Sequence, residues 1–112
     1  MKSWITQIRK GLLEFCLLNL LLDGESYGYE IVQKLQAIEL LAVTESTLYP
    51  ILARLKEEGY LKVHTEPSPG GPPRRYFSLT LLGQQRVQAM NGYWDQLAAV
   101  IQSLRQGRGN EG

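Results

Sequence analysis

The N-terminal part of the chain is one predicted helix, Ser3 to Leu22, which is apolar almost all the way round its second half. A helix that is apolar on every side is covered on every side, so this one is expected in the core. Glu14 and Asn19 interrupt the apolar run, and the run is shorter than the roughly 20 residues that cross a bilayer. We therefore interpret it as a buried helix, neither a secretory signal nor a membrane span.

Two shorter helices are predicted next. Gly24 ends the first helix, and Ser26 is expected to cap a second helix that runs to about Ala37. Thr44 opens a third helix, and Gly59 ends it. The inward-facing residues of the second helix are Ile31, Val32 and Leu35, and those of the third, at i, i+3, i+4, i+7 spacing, are Leu48, Ile51, Leu52 and Leu55. The opposite face of the third helix carries Ser46, Tyr49, Pro50, Ala53 and Arg54 and is expected to face outward.

From Tyr60 the apolar period changes to two, which is typical of a β-hairpin. Leu61 and Val63 alternate with polar residues before the segment Pro67–Pro73, and Phe77 and Leu79 alternate after it. The prolines and glycines of 67–73 exclude a helix and predict a loop. Arg74 and Arg75 follow this loop, and no acidic residue occurs between Pro67 and Trp94, so a local positive patch is expected at the hairpin.

The last helix is predicted to start after a Thr80 cap and to end near Arg105, followed by a disordered tail over 106–112. Such a helix is roughly 37 Å long, more than a compact domain with a radius of gyration of about 13 Å can cover. Its apolar residues alternate spacings of three and four, as in a helix that packs against another helix. These residues are Val87, Met90, Trp94, Leu97, Ile101 and Leu104. The simplest partner is a second copy of the chain.

The composition narrows the class of protein. The chain has 112 residues, 44% apolar and 21% charged, which is the length and composition of one globular domain. Its net charge of +1 is too small for nonspecific binding of polyanions over the whole surface. A single cysteine, Cys16, excludes an intrachain disulfide and a cysteine cluster for zinc, and suits a reducing cytoplasm. The single histidine, His64, excludes most other metal sites.

The order of elements predicts the fold. Three helices followed by a hairpin form an α+β, mostly helical winged helix-turn-helix, here over residues 1–79, with a C-terminal dimerisation helix over 80–105. The outward face of the third helix, with Ser46, Thr47, Tyr49 and Arg54, offers the hydroxyl and guanidinium groups that read base edges in the major groove. The alternative is a winged-helix protein-interaction adaptor without an operator of its own, since winged helices serve both roles.

Five segments resemble successive motifs of the PadR family of bacterial transcriptional regulators. They are Leu13-Glu14-Phe15-Cys16-Leu17-Leu18, Tyr27-Gly28-Tyr29-Glu30-Ile31, Thr47-Leu48-Tyr49-Pro50, Arg54-Leu55-Lys56-Glu57-Glu58-Gly59 and Gly70-Gly71-Pro72-Pro73-Arg74-Arg75-Tyr76. The resemblance spans nearly the whole chain in order. It departs from the family between Gln36 and Val43, where this chain is shorter and more apolar.

The resemblance implies a homodimeric, ligand-responsive repressor that binds double-stranded DNA. Because a symmetric dimer presents two recognition helices, its operator is expected to be palindromic. It adds Tyr27 and Tyr29, at the start of the second helix, to the expected DNA contacts, beside Arg74 and Arg75 of the wing. It also implies that the last helix packs on the first and last helices of the other subunit. The resulting interface residues are Leu12, Phe15, Val87, Met90, Trp94, Leu97, Ile101 and Leu104.

Trp94 has two interpretations. The resemblance implies that it stacks on a small aromatic or hydrophobic effector between subunits, whereas a large aromatic in a helix seam is more often interface core.

Two other positions, Gly28 and Tyr49, also leave alternatives open. Gly28 indicates either close packing or close approach to a phosphate, and Tyr49 either binds a phosphate or covers the root of the hairpin.

Catalysis needs a nucleophile, a base and an orienting group, or a set of metal ligands, and we find none in the sequence. Glu57 and Glu58 form the solvated end of a helix, and Gly70-Gly71 lacks the lysine of a phosphate-binding loop. The chain is therefore predicted to be neither an enzyme nor dependent on a metal or cofactor.

Overall fold

The computed structural model describes the backbone of residues 2–111 and the side chains of residues 4–107. The elements are α1 (Lys2–Leu20), a 3-10 turn (Leu21–Asp23), β1 (Ser26–Tyr27), α2 (Gly28–Gln36), a second 3-10 turn (Glu39–Leu41), α3 (Glu45–Glu57), β2 (Leu61–Ser68), β3 (Gly71–Leu79) and α4 (Leu81–Glu111). Three helices, a hairpin and a long last helix follow one another as predicted. No helix within residues 2–111 combines the length and apolarity needed to cross a membrane.

One hydrophobic core joins all four helices to the hairpin. The fully buried side chains include Leu17 and Leu18 of α1 and Leu48 of α3. The predicted inward residues of α2 are all buried, as are those of α3 except Ile51, which packs against the core while partly exposed. The expectation that α1 is covered on every side is wrong for the single chain: Leu13, Leu17 and Leu18 are buried, whereas Leu12, Phe15 and Leu20 stay partly exposed, because the other elements pack on one side of the helix.

The sheet has one strand more than the sequence predicted. Its order is β1-β3-β2, and both pairings are antiparallel. Ser26 pairs with Phe77 and is buried, so it belongs to β1, and the predicted cap of α2 at this residue is wrong. The N-cap of α2 is instead Tyr27. A two-residue strand has no periodicity of its own, because it forms only by pairing with a distant segment.

The predicted loop at 67–73 is mostly strand. Only Pro69 and Gly70 form the turn, with Gly70 at φ +68°, and Ser68 faces Gly71 across it. The prolines are tolerated because the register shifts between Glu66 and Ser68, where a bulge interrupts the ladder of hydrogen bonds. The wing is therefore a longer hairpin than the sequence predicted.

Both ends of α3 are where the sequence predicted them. Thr44 is the N-cap residue, although its hydroxyl bonds to Ser46 and Thr47 and not to the backbone. At the other end Gly59 has φ +86°, and the N–H groups of Gly59 and Tyr60 donate to the carbonyls of Lys56 and Leu55. These two bonds form a Schellman motif, which stops the helix.

The connection between α2 and α3 is held by two side chains. Arg9 of α1 donates to the carbonyl of Leu41, and the Gln36 amide donates to the carbonyl of Val43. Ala42 adopts φ +46°, a left-handed conformation that a non-glycine residue rarely takes. Within this apolar segment Leu41 and Val43 pack on the core, whereas Ile38 and Leu40 are exposed, Leu40 to 87%.

Thr80 caps α4 as predicted, since the Gly83 N–H donates to its hydroxyl at 3.0 Å.

The α4 helix continues to Glu111, so its predicted end at Arg105 is wrong. Gln106 and Arg108 are good helix formers, and the isolated glycines among them cost only about 1 kcal/mol each. Gly112, the end of the predicted tail, lies outside the described residues. The long α4 gives the chain an extent of 66 Å and a radius of gyration of 17.0 Å, above the roughly 13 Å of a compact domain.

Candidate nucleic-acid interface

One open cleft of about 570 Å³ brings together the start of α2, the exposed face of α3 and the wing. Its lining residues are Tyr27, Gly28, Tyr29, Tyr49, Ser68, Pro72, Pro73, Arg74, Arg75 and Phe77. Five of the eight predicted DNA contacts are thus neighbours in space. Because α2 begins at Gly28, the unpaired N–H groups of its first turn lie at the same cleft, and such groups favour anions.

The two arginines of the wing, Arg74 and Arg75, are exposed, and each packs on an aromatic ring. The Arg74 guanidinium lies 4.6 Å from the centre of the Tyr27 ring, and that of Arg75 lies 5.4 Å from the Phe77 ring. No carboxylate in the described part of the chain forms an ion pair with either arginine. Both positive charges are therefore free to meet phosphates, while the aromatic rings limit the directions in which the side chains extend.

Gly28 is explained by packing. A Cβ at this position would lie 3.3 Å from a ring carbon of Tyr49 and 3.6 Å from Phe77. Tyr49 therefore packs on the backbone of α2, although 41% of its surface is exposed and it lines the cleft. Of the two interpretations of Gly28, close packing is observed, and approach of a phosphate to its N–H is compatible with it.

The hydroxyl groups at the start of α3 form a small cluster. The Thr44 hydroxyl lies 3.0 Å from those of Ser46 and Thr47. All three residues are exposed. Hydroxyl hydrogens rotate freely, so Ser46 and Thr47 can turn toward a base edge or a phosphate without any change in the helix.

Arg54 lies on the exposed face of α3, but its guanidinium is already paired. It donates to Glu14 of α1 at 2.7 Å and to Glu58 at 3.1 Å. The hydrogen bond to Glu14 raises the pKa of Arg54. The other oxygen of Glu14 accepts from Arg86 of α4 at 2.9 and 3.0 Å. A direct contact between Arg54 and DNA stays a prediction.

Glu14 and Arg86 were not among the predicted site residues. Glu14 is the one acidic residue in the apolar stretch of α1, and a charge in such a stretch needs a partner when it is buried. That signal identifies Glu14 but not its partners, which lie 40 and 72 residues away. Burial raises the pKa of the Glu14 carboxyl, but the hydrogen bonds from Arg54 and Arg86 outweigh this effect and hold the pKa below its usual value.

A second, apolar site lies between α1 and α4. Leu12 and Phe15 of α1 face Met90 and Trp94 of α4 across a groove of about 420 Å³, and the Phe15 and Trp94 rings are 5.8 Å apart. Trp94 remains 39% exposed in the single chain. Cys16 lines an adjoining apolar recess, and burial raises the pKa of its thiol.

The predicted dimer residues divide into two groups. Val87 is fully buried in the core of its own chain, so its assignment to the interface is wrong: the first turns of α4 pack on the domain before the helix projects from it. Met90 also packs on that core while partly exposed. Farther along, Ile101 and Leu104 are exposed in the single chain.

Among the described residues, the groups that approach a metal-ligand arrangement are Glu25, His64 and Glu66 on the outer face of the sheet. His64 lies 2.8 Å from Glu66 and 3.7 Å from Glu25, and its ring stacks on Tyr76. All three are exposed. The hydrogen bond between His64 and Glu66 and the stacking of the imidazole on Tyr76 account for this arrangement without a metal.

Comparison with known proteins covers most of the chain. The model of the transcriptional regulator PadR-like family matches residues 17–89. A PadR-like transcription factor from Bacteroides fragilis is 37% identical over 88% of this chain and 95% of its own, with a TM-score of 0.76. A PadR-like regulator from Bacillus cereus is 31% identical over 89% and 97%, with a TM-score of 0.80. Bacillus subtilis PadR, solved in complex with operator DNA, is 28% identical over 70% of this chain and 46% of its own, with a TM-score of 0.64.

Proposed function

The chain belongs to the PadR-like family of transcriptional regulators, and from this premise we propose that it is a ligand-responsive repressor that binds a palindromic operator as a homodimer. Members of this family are regulators and not enzymes, so the prediction that the chain has no catalytic function is confirmed. DNA binding takes place in the cytoplasm of a bacterial cell, where the predicted reduced state of Cys16 is maintained.

The observation that carries the DNA proposal is the cleft where α2, α3 and the wing meet. Its two arginines form no ion pair with a described carboxylate. Together with the tyrosine hydroxyls and the first turn of α2, they supply phosphate contacts from three separate elements. Ser46 and Thr47 stand at the start of α3, where side chains of a recognition helix reach base edges. Bacillus subtilis PadR, to which this chain is similar, was solved in complex with operator DNA, and this supports DNA as the partner.

Selection of bound sequences from random duplexes tests the proposal directly. A symmetric dimer presents two α3 helices, so the selected sequence is expected to be two-fold symmetric with half-sites about one helical turn apart. An asymmetric site, or no enrichment at all, would contradict it. A protein-interaction adaptor would show little affinity for any duplex and little dependence on salt.

Variants of the wing separate positioning contacts from base reading. Arg74→Ala and Arg75→Ala should weaken binding to all duplexes and lower the salt slope by roughly one each. Lys34→Ala removes the same charge from the far end of α2 and serves as the control, with an unchanged slope expected. Ser46→Ala should instead change the preferred base at one position of each half-site.

The effector proposal rests on the apolar groove between α1 and α4. The groove is open on one side in the single chain, and the Trp94 ring forms part of its wall, a suitable surface for stacking of a flat apolar molecule. Such a molecule would change the packing of α4 and with it the separation of the two α3 helices. Ligand and operator binding would then be coupled by about 1 to 3 kcal/mol.

Tryptophan fluorescence tests this proposal in a Trp4→Phe background, because Trp4 is also exposed. A panel of planar aromatic compounds should quench Trp94 emission saturably and weaken operator binding over the same concentration range. Quenching without an effect on operator affinity would remove the regulatory role. No quenching by the whole panel would identify Trp94 as interface core.

A further inference from the structure

Three helices meet at one carboxylate. Glu14 of α1 is the acceptor for Arg54 of α3 on one oxygen and for Arg86 of α4 on the other, at 2.7 to 3.0 Å. The Glu14 side chain is only 15% exposed. The Arg86 guanidinium also lies over the Tyr60 ring and donates to the Tyr60 hydroxyl at 3.0 Å. Each of the two arginines is therefore held by more than one contact.

This arrangement conflicts with a role of Arg54 in reading DNA. To reach a base edge or a phosphate, its guanidinium would have to leave both Glu14 and Glu58. Glu14 would keep only Arg86, and a largely buried carboxylate that loses one of its two charged partners is destabilised. By contrast Arg74 and Arg75 form no ion pair with the described carboxylates and reach a phosphate without any such loss.

We propose that Arg54 is a positioning residue, and that Glu14 is the anchor through which it fixes the orientation of α3 against α1 and α4. The proposal rests on DNA binding by the face of α3 and assigns Arg54 an indirect part in it. Because Glu14 also binds Arg86, the orientation of α3 follows that of α4. Glu14 is adjacent to Phe15, and Arg86 precedes Met90 by one helical turn, so the network borders the apolar groove.

The test compares Arg54→Ala, Glu14→Gln and the double variant on the selected operator. If the residues act through one network, each single variant should weaken operator binding by roughly tenfold. The operator affinity of the double variant should then be no lower than that of the single variant that binds less tightly. The base preference and the salt slope should be unchanged in all three. Lys56→Ala and Glu57→Gln remove the same charges from α3 without breaking an ion pair and are expected to bind like the wild type.

If Arg54→Ala fails to fold, Arg54→Lys takes its place in the test, because lysine keeps the positive charge but lacks the planar guanidinium fork. Amide hydrogen exchange over α3 supplies a readout without DNA: exchange should be faster in the Glu14 and Arg54 variants and unchanged in the controls. A lower salt slope or an altered base preference in the Arg54 variants, with Glu14→Gln like the wild type, would overturn the proposal. Wild-type protein that binds no duplex would refute the proposed function, and hydrogen exchange would still decide whether the network holds α3.

Discussion

Single residues set several distances between elements, and Gly83 is the clearest case. A Cβ at this position would lie 2.1 Å from the carbonyl oxygen of Tyr60, an approach that requires the backbone to move. Gly83→Ala should therefore lower the free energy of unfolding by about 3 kcal/mol. Chemical denaturation at a fixed protein concentration measures the change.

Gly92 of the same helix provides the matched control. A Cβ there meets no heavy atom within 4 Å among the described residues. Gly92→Ala removes only the entropic penalty of a helical glycine and should stabilise the protein by about 0.5 to 1 kcal/mol. A similar effect of the two substitutions would show that contact with Tyr60 does not determine the role of Gly83.

Glu14 should make stability depend on pH in the acid range. Its pKa is held below the ordinary value of 4.5 in the folded chain. The carboxylate therefore contributes stability above the pKa of the unfolded chain, and this contribution is lost as the pH falls through the lower pKa of the folded chain. Glu14→Gln should cost about 2 kcal/mol at pH 7, the value of a hydrogen bond to a charged group, and progressively less below pH 4.5.

Denaturation of the wild type and of Glu14→Gln from about pH 3 to about pH 8 measures this difference, because this range includes the pH at which carboxyl groups titrate. The control is Glu57→Gln, which removes an exposed carboxylate of α3 and should leave stability at pH 7 unchanged. A difference between wild type and Glu14→Gln that stays constant down to the acid limit would contradict the assigned role of the carboxylate.

At the scale of elements, Thr80 joins the end of α3 to the start of α4. Its hydroxyl donates to the carbonyl of Gly59 at 2.6 Å and accepts from the N–H of Gly83 at 3.0 Å. Thr80→Val keeps the shape and removes both bonds, and should cost about 1 to 2 kcal/mol. Thr80→Ser keeps the hydroxyl and should cost far less. Thermal unfolding of the two variants distinguishes a lost cap from a lost methyl group.

At the scale of the whole molecule, several apolar residues of α4 are exposed to solvent in the single chain. Ile101 is 44% and Leu104 71% exposed, and Leu97 is half-buried. If a second copy covers this stripe, replacing Leu97 and Ile101 together by Asp should yield monomers or aggregates. Gln102→Asp with Gln106→Asp places the same charges on the opposite face of the helix and should leave the dimer intact. A Leu97 and Ile101 double variant that sediments as a dimer at micromolar concentration would refute the interface.

The sequence alone determined the elements whose signals are local. Three helices, a hairpin and a long last helix follow from the apolar periods and from Thr44, Gly59 and Thr80, because caps and amphipathic faces are properties of neighbouring residues. The sequence also located most of the residues around the cleft. Their convergence follows from the winged-helix order of elements, which brings the start of α2, the face of α3 and the wing to one side of the domain.

Tertiary structure alone decided what depends on distant partners. The strand at Ser26 exists because it pairs with Phe77, and Val87 belongs to the core because α4 packs on the domain before it projects. The same holds for Arg54, which has the position of a base-reading residue in sequence and is paired with Glu14 in space. A periodic pattern reports which face of an element is polar, but it does not report distant partners such as those of Glu14, which lie 40 and 72 residues away along the chain.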